Sequence, residues 1–175
     1  RLRQELEVYR DRPTVSGDGK RYALYANIGS LAEAHAACAA GAEGIGLFRT
    51  EFLFMGRTAM PTEAEQLDVY REVAALMPDK EVIIRTLDVG GDKFNTNIFR
   101  ATEQNPFLGL RGIRLCLHER RDIFSTQLRA LLRAGVYGNL RVMLPMVSSI
   151  REVNEVKQLV GELQEQLRRE KLEFV

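Results

Sequence analysis

Three times in this chain a hydroxyl residue stands three places ahead of a glutamate, where an apolar, β-branched run gives way to a helical period. The three sites are Ser30-x-x-Glu33, Thr62-x-x-Glu65 and Ser149-x-x-Glu152. In such a capping box the hydroxyl accepts a free backbone N–H of the first helical turn, and the glutamate reaches back to another. One match is weak evidence, but three that each follow a strand-like run mark element boundaries. They divide most of the chain into strand–helix units. Residues 22–28, 44–48, 81–87 and 140–147 read as strands, and residues 30–41, 62–77, 123–134 and 149–170 read as helices. Within the helices, Leu67, Tyr70, Val73 or Ala74, and Met77 share one face, as do Ile123, Phe124, Leu128, Leu131 and Leu132, and as do Val153, Val156, Val160, Leu163 and Leu167. Ahead of these units, residues 1–12 read as a helix that Pro13 ends, followed by a turn at "SGDGK".

Strand, helix and strand in repetition imply a parallel sheet with right-handed crossovers. The strands are apolar along their length, as strands covered on both faces should be. An open doubly wound sheet and part of an eight-stranded barrel both fit. A doubly wound nucleotide-binding sheet usually carries G-x-G-x-x-G after its first strand. Here that turn reads "ANIGSLAEA", with a single glycine. The barrel fits better, so the chain is expected to be α/β, a partial (β/α)8 TIM barrel of about four βα units. Residues 1–20 would form a linker helix and turn, and residues 21–175 the first half of the barrel.

Composition narrows the function. Hydrophobic residues make up 45% of the chain, enough for a sizeable core. The formal net charge of +1, without a long block of one sign, argues against a dedicated nucleic-acid or membrane-surface protein. No apolar run reaches the length of about 18 residues that a membrane span needs. Cys38 and Cys116 have neither a CxxC nor a metal-ligand spacing and sit among apolar residues, so they read as buried free thiols in a reducing compartment.

In a barrel the functional residues stand at the C-terminal ends of the strands. Two strands here end alike: "GLFRTEF" places Arg49 there and "IIRTLDVGGDK" places Arg85 there. A guanidinium matches phosphate or carboxylate through two parallel hydrogen bonds, and two that converge would hold a compact polyanion. A strand-end arginine can equally pair with a nearby acid, and Glu51, Asp88 and Asp92 are at hand. Gly90-Gly91 permits close backbone approach or simply makes a turn, and Lys93 adds a charge. The connection over residues 88–107 has no obvious period, and long ordered loops in compact domains tend to be functional. After it, Arg111 and Arg114 would share a face if helical.

The segments "GAEGIGLFRTEFLFMGR", "PTEAEQ", "IIRTLDVGGDK", "NPFLGLRGIR", "QLRALLRA" and "LRVMLPMVSS", in this order, resemble enzyme I of the bacterial sugar phosphotransferase system, the phosphoenolpyruvate–protein phosphotransferases. The resemblance runs from about Pro13 to the end of the chain. It implies that phosphoenolpyruvate binds at the barrel mouth with Mg²⁺. The phosphoryl group would pass to a histidine on a separate N-terminal domain, then to the phosphocarrier HPr, and so drive sugar uptake. Matched motif to motif, Arg49, Arg85 and Arg111 fall on the family's phosphoenolpyruvate-binding arginines. The resemblance further implies a homodimeric, cytoplasmic parent with no nucleic-acid partner and no membrane insertion.

The chain also departs from the family's full complement. Neither His35 nor His118 matches the phosphoacceptor segment, and Cys38 and Cys116 do not match the family's proton-donating cysteine. Catalytic residues and Mg²⁺ ligands are expected outside this chain, as are the phosphohistidine domain and the rest of the barrel. Gln104 stands where the family usually has Glu before Asn-Pro. The isolated chain is therefore expected to be inactive and to associate through its open sheet edges. Regulatory (nitrogen-linked) and fructose-linked multidomain paralogues, and a non-catalytic anion-binding half-barrel, are the alternative readings.

Overall fold

A computed structural model describes residues 6–90 and 108–175. Gly91, Asp92, Lys93, Gln104, Asn105 and Pro106 lie outside the described residues, as do Leu2 and most of the 88–107 connection. The helix read over residues 1–12 reaches the described part as helical Leu6 and a 3-10 turn at Glu7–Tyr9.

Four strands form one parallel sheet: β3 (Tyr25–Ile28), β4 (Gly44–Arg49), β5 (Val82–Arg85) and β6 (Leu140–Met143), hydrogen-bonded in chain order. Between them run helices α1 (Leu31–Ala39), α2 (Glu63–Leu76), α3 (Ile113–His118) and α4 (Arg121–Ala134), and α5 (Ile150–Arg169) follows β6. Parallel strands in consecutive order with intervening helices are the first part of a (β/α) barrel. The described sheet does not close on itself.

The capping boxes account for most of the helix starts. Thr62 and Ser149 each accept from the backbone N–H of the glutamate three residues on, and that glutamate accepts the cap residue's own N–H. The Ser30 box is offset: Ser30 accepts from Glu33 N–H, but the Glu33 carboxylate takes the Gly29 N–H at 2.6 Å. At the other end of α1, Gly41 carries the positive φ of 80° and donates to Cys38 C=O.

Three boundaries differ from the sequence reading. Residues 22–28 are not one strand: Arg21–Tyr22 (β2) turns back antiparallel on Thr14–Val15 (β1), and the parallel strand begins at Tyr25. The "SGDGK" turn causes this, with Gly19 at φ 83° and its N–H bonded to Ser16 C=O at 2.9 Å. The strand read over 140–147 stops at Met143. Its neighbour β5 ends opposite, at Arg85, and Pro145 has no N–H to continue a ladder. Helix α3, not expected as an element, starts behind Gly112, whose φ of 55° turns the chain. That turn puts Arg111 ahead of the helix, so Arg111 and Arg114 do not share a helical face.

The sheet face toward the helices is dry. Ile45, Phe48, Val82 and Ile84 are buried there against Tyr70 and Val73 of α2 and Phe124 and Leu128 of α4. Phe48 meets Tyr70 edge-on, with ring centroids 6.4 Å apart. Burial of each large side chain stabilises the fold by about 1.5–3 kcal/mol. The alternate residues Leu47, Arg49, Ile83 and Arg85 are only half-buried, which places both strand-end arginines on the opposite face. Cys116 is a buried free thiol, and burial pushes it up to about 12, whereas Cys38 is half-buried rather than buried.

Candidate anion site at the strand ends

Arg49 and Arg85 are register partners, the last residues of adjacent parallel strands. Neighbouring strands lie about 4.8 Å apart, so the two side chains leave the sheet side by side. Like charges this close need counter-charges, and the next residues supply them. Arg85 donates from Nη2 to Glu51 Oε1 at 3.0 Å and pairs through Nη1 with Asp88 Oδ2 at 3.0 Å. Asp88 also receives Arg111, from Nε to Oδ1 at 2.9 Å and from Nη2 to Oδ2 at 3.4 Å. A backbone contact closes the group: Asp88 N–H donates to Glu51 Oε1 at 3.0 Å. Acid pairing and anion binding were alternatives in the sequence, yet the geometry contains the first without excluding the second. Asp92, the third candidate acid, lies outside the described residues.

Arg49 is held differently. Its guanidinium lies over the Phe52 ring, 5.7 Å from the centroid. Phe52 in turn occupies the space that Gly29 leaves, where an added Cβ would come within 2.3 Å of the ring. Gly90 plays a similar part for Arg111, since a Cβ there would press on the Arg111 stem at 3.2 Å.

Among the described residues, Glu51 and Asp88 pair with Arg85 and Arg111, and Arg49 has an aromatic ring instead of a carboxylate beside it. Among the described residues, the buried Nε atoms of Arg49 and Arg85 have no acceptor. A buried donor left without a partner costs about 1–3 kcal/mol, so an acceptor from a bound anion is favoured here. Arg114 serves the backbone instead, donating to Gly109 C=O at 2.8 Å and Met146 C=O at 3.4 Å. Among the described residues no group of three His, Cys, Asp or Glu side chains could hold a metal ion. Glu51 and Asp88 already face arginines, so the described residues do not fit the Mg²⁺ that the resemblance implies.

Beneath the arginines lies a buried polar chain through Thr50, Gln127, Tyr70 and Gln66 that the sequence reading missed. Gln127 did leave a signal. It sits in the apolar stripe of its helix, between Phe124 and Leu128, where a polar residue needs a partner. Neither histidine joins the site: His35 lies beside Glu72 at 3.3 Å on the surface, and exposed His118 ends α3. Two clefts lie away from the arginines. One, of about 410 Å³, is apolar and runs between α4, β6 and α5, and the other, of about 830 Å³, lies beside β1–β3.

Residues 3–175 match the family model described as PEP-utilising enzyme, PEP-binding domain. The chain belongs to this family. Among curated PEP-utilising relatives, the phosphoenolpyruvate-protein phosphotransferase of Staphylococcus aureus (strain MSSA476) is 51% identical over 168 residues, 96% of this chain. The protein of the same name from Bacillus subtilis (strain 168) is 50% identical over 157 residues, 90% of this chain. The chain spans 29% of the Staphylococcus protein and 27% of the Bacillus one. Among the described residues no helix is long and apolar enough to cross a membrane.

Proposed function

We propose that this PEP-binding domain works within a phosphoenolpyruvate–protein phosphotransferase, with Arg49 and Arg85 binding phosphoenolpyruvate and Arg111 supporting them from the phosphate side. The observation that carries the reading is the Arg49–Arg85 register pair at the strand ends. Phosphoenolpyruvate presents a phosphate and a carboxylate on a short rigid frame. Two adjacent guanidinium groups can meet both with forked, charge-assisted hydrogen bonds. In phosphoryl transfer, charge spreads over the equatorial oxygens, and fixed cations stabilise it without reorganising. Glu51 and Asp88 hold Arg85 in place before the anion arrives, so little side-chain ordering remains to be done on binding.

The acceptor histidine belongs to a separate domain in this proposal, and HPr receives the phosphoryl group from it, which supplies sugar uptake. The parent is a cytoplasmic homodimer. Mg²⁺ would be held by residues other than Glu51 and Asp88, whose carboxylates face arginines.

The test is phosphotransfer from phosphoenolpyruvate in the full-length protein. Arg85→Ala should lower kcat/KM by about two orders of magnitude or more, the loss of one forked contact to the transferring group worth roughly 3–5 kcal/mol. Arg85→Lys should recover only part, since an ammonium cannot make the fork. A rate for Arg85→Ala within about threefold of wild type would remove the basis of the proposal.

A further inference from the structure

The chain around Arg49 and Arg85 must be held past the last ladder pair, which is Arg49 opposite Arg85. Two helical side chains reach the backbone there: Cys116 of α3, whose thiol lies 3.8 Å from Leu87 C=O, and Gln127 of α4. Gln127 of α4 is fully buried, and its Oε1 accepts the Leu87 N–H at 2.9 Å. That contact fixes which end of the amide is oxygen, because a backbone N–H can only donate. Nε2 then donates to Thr50 Oγ1 and to the Tyr70 hydroxyl, both at 3.1 Å. Thr50 passes its own hydrogen to Arg85 C=O at 2.9 Å, and Tyr70 passes its hydrogen to Gln66 Oε1 at 3.1 Å. The Gln66 amide ends the chain on Pro61 C=O at 3.1 Å. Every hydrogen has one destination, so the network has one direction. Burial pushes the Tyr70 phenol up, which keeps it a neutral donor.

We infer that Gln127 is a positioning residue for the arginine pair. It holds the β5 chain directly at Leu87 N–H and holds the residue after Arg49 at the Thr50 hydroxyl, which itself donates to Arg85 C=O. One amide thereby sets the separation of two strand ends, and with it the spacing of the two guanidinium groups. A side chain that merely filled the core would have no need to bind both. The inference rests on the reading of Arg49 and Arg85 as the phosphoenolpyruvate pair.

The experiment measures kcat/KM for phosphoenolpyruvate in the full-length protein, well below the melting temperature of each variant. Gln127→Met keeps the length of the side chain and removes its polar atoms, while Thr50→Val keeps the shape of Thr50 and removes its hydroxyl. Each should lower kcat/KM by about tenfold to a hundredfold, the range expected when reacting groups are misplaced by an ångström or less. Thr50→Ser, which restores the hydroxyl, should return to within about threefold of wild type.

The discriminating readout is a double-mutant cycle. With Arg85→Ala already in place, Gln127→Met and Thr50→Val should each cost at least about threefold less than in the wild-type background, because only Arg49 is left to be misplaced. A purely structural role would give the same cost in both backgrounds and would overturn the inference. Should Gln127→Met fail to fold, Thr50→Val decides on the same criteria. A rate lost in Arg85→Ala but kept in Thr50→Val overturns this inference alone. A rate that survives Arg85→Ala overturns the phosphoenolpyruvate reading and this inference with it.

Discussion

Two arginine–carboxylate clusters can be compared in this molecule. The outer one ties helices together: Arg129 donates to Glu63 at 2.6 Å and to Glu170 at 2.6 Å, and Arg133 donates to Glu63 at 2.7 Å. The inner one is the group of Arg49, Arg85 and Arg111 with Glu51 and Asp88. Residue types are alike, but solvation and the way the arginines are held are not. Two arginines face two glutamates outside, and Glu170 is 48% exposed. Inside, Arg85 and Arg111 face Glu51 and Asp88 while Arg49 lies over Phe52, and the Arg111 and Asp88 side chains are only 5% and 7% exposed. Exposed pairs contribute about 0.2–1 kcal/mol each. Buried pairs recover little of their desolvation cost, so the Arg111–Asp88 pair contributes less to stability than its close contact suggests. The clusters thus differ at Arg49, which has an aromatic ring rather than a carboxylate beside it.

Single substitutions separate the two clusters. The largest effect is expected on activity. Arg85→Ala, and Arg49→Ala similarly, should cost phosphotransfer about a hundredfold or more, while Arg129→Ala should leave it within about twofold. Next comes stability of the inner cluster. Asp88→Asn strips Arg85 and Arg111 of their shared anion and should destabilise the fold by about 3–5 kcal/mol in urea unfolding. A loss under about 1 kcal/mol would make the inner cluster energetically equivalent to the outer one. Glu63→Gln, which loosens two outer arginines at once, should cost only about 1 kcal/mol and spare activity.

The smallest effect lies at the exposed extreme, in the α2 cap. The Glu65 carboxyl is lowered from 4.5 to about 2, first by Arg57 and then by Thr62. A carboxyl depressed in the folded state contributes stability that is complete above its unfolded value and fades as pH falls through the folded one. The melting-temperature advantage of wild type over Glu65→Gln should thus be constant above about pH 4.5 and close toward pH 2. An advantage that persists undiminished at pH 2 would remove the cap carboxylate as its source.

What the sequence made legible was local. The boxes at Thr62 and Ser149 placed their helices because every atom involved lies within four residues. Strand direction followed from the alternation of strands and helices, and the strand-end positions of Arg49 and Arg85 followed from the apolar runs before them. The β1–β2 hairpin was missed because two-residue strands carry no period. Gln127 was read as part of an amphipathic helix, and its meaning depends on Thr50, Tyr70 and Leu87, which only the folded chain brings to it. Asp88 was named as a possible partner for Arg85, but its sharing with Arg111 required the turn at Gly112, which no pattern announced.

Phe52 has a consequence of its own. Its ring is 54% exposed and touches Arg49 across a cation–π contact at a site open to water. Such a contact is worth about 0.5–1 kcal/mol. Translated into populations, that favours the stacked arrangement over the released one by only about two- to fivefold. In the proposed function an incoming anion competes with only that weak contact for the guanidinium, and the space that Gly29 leaves keeps the Phe52 ring seated.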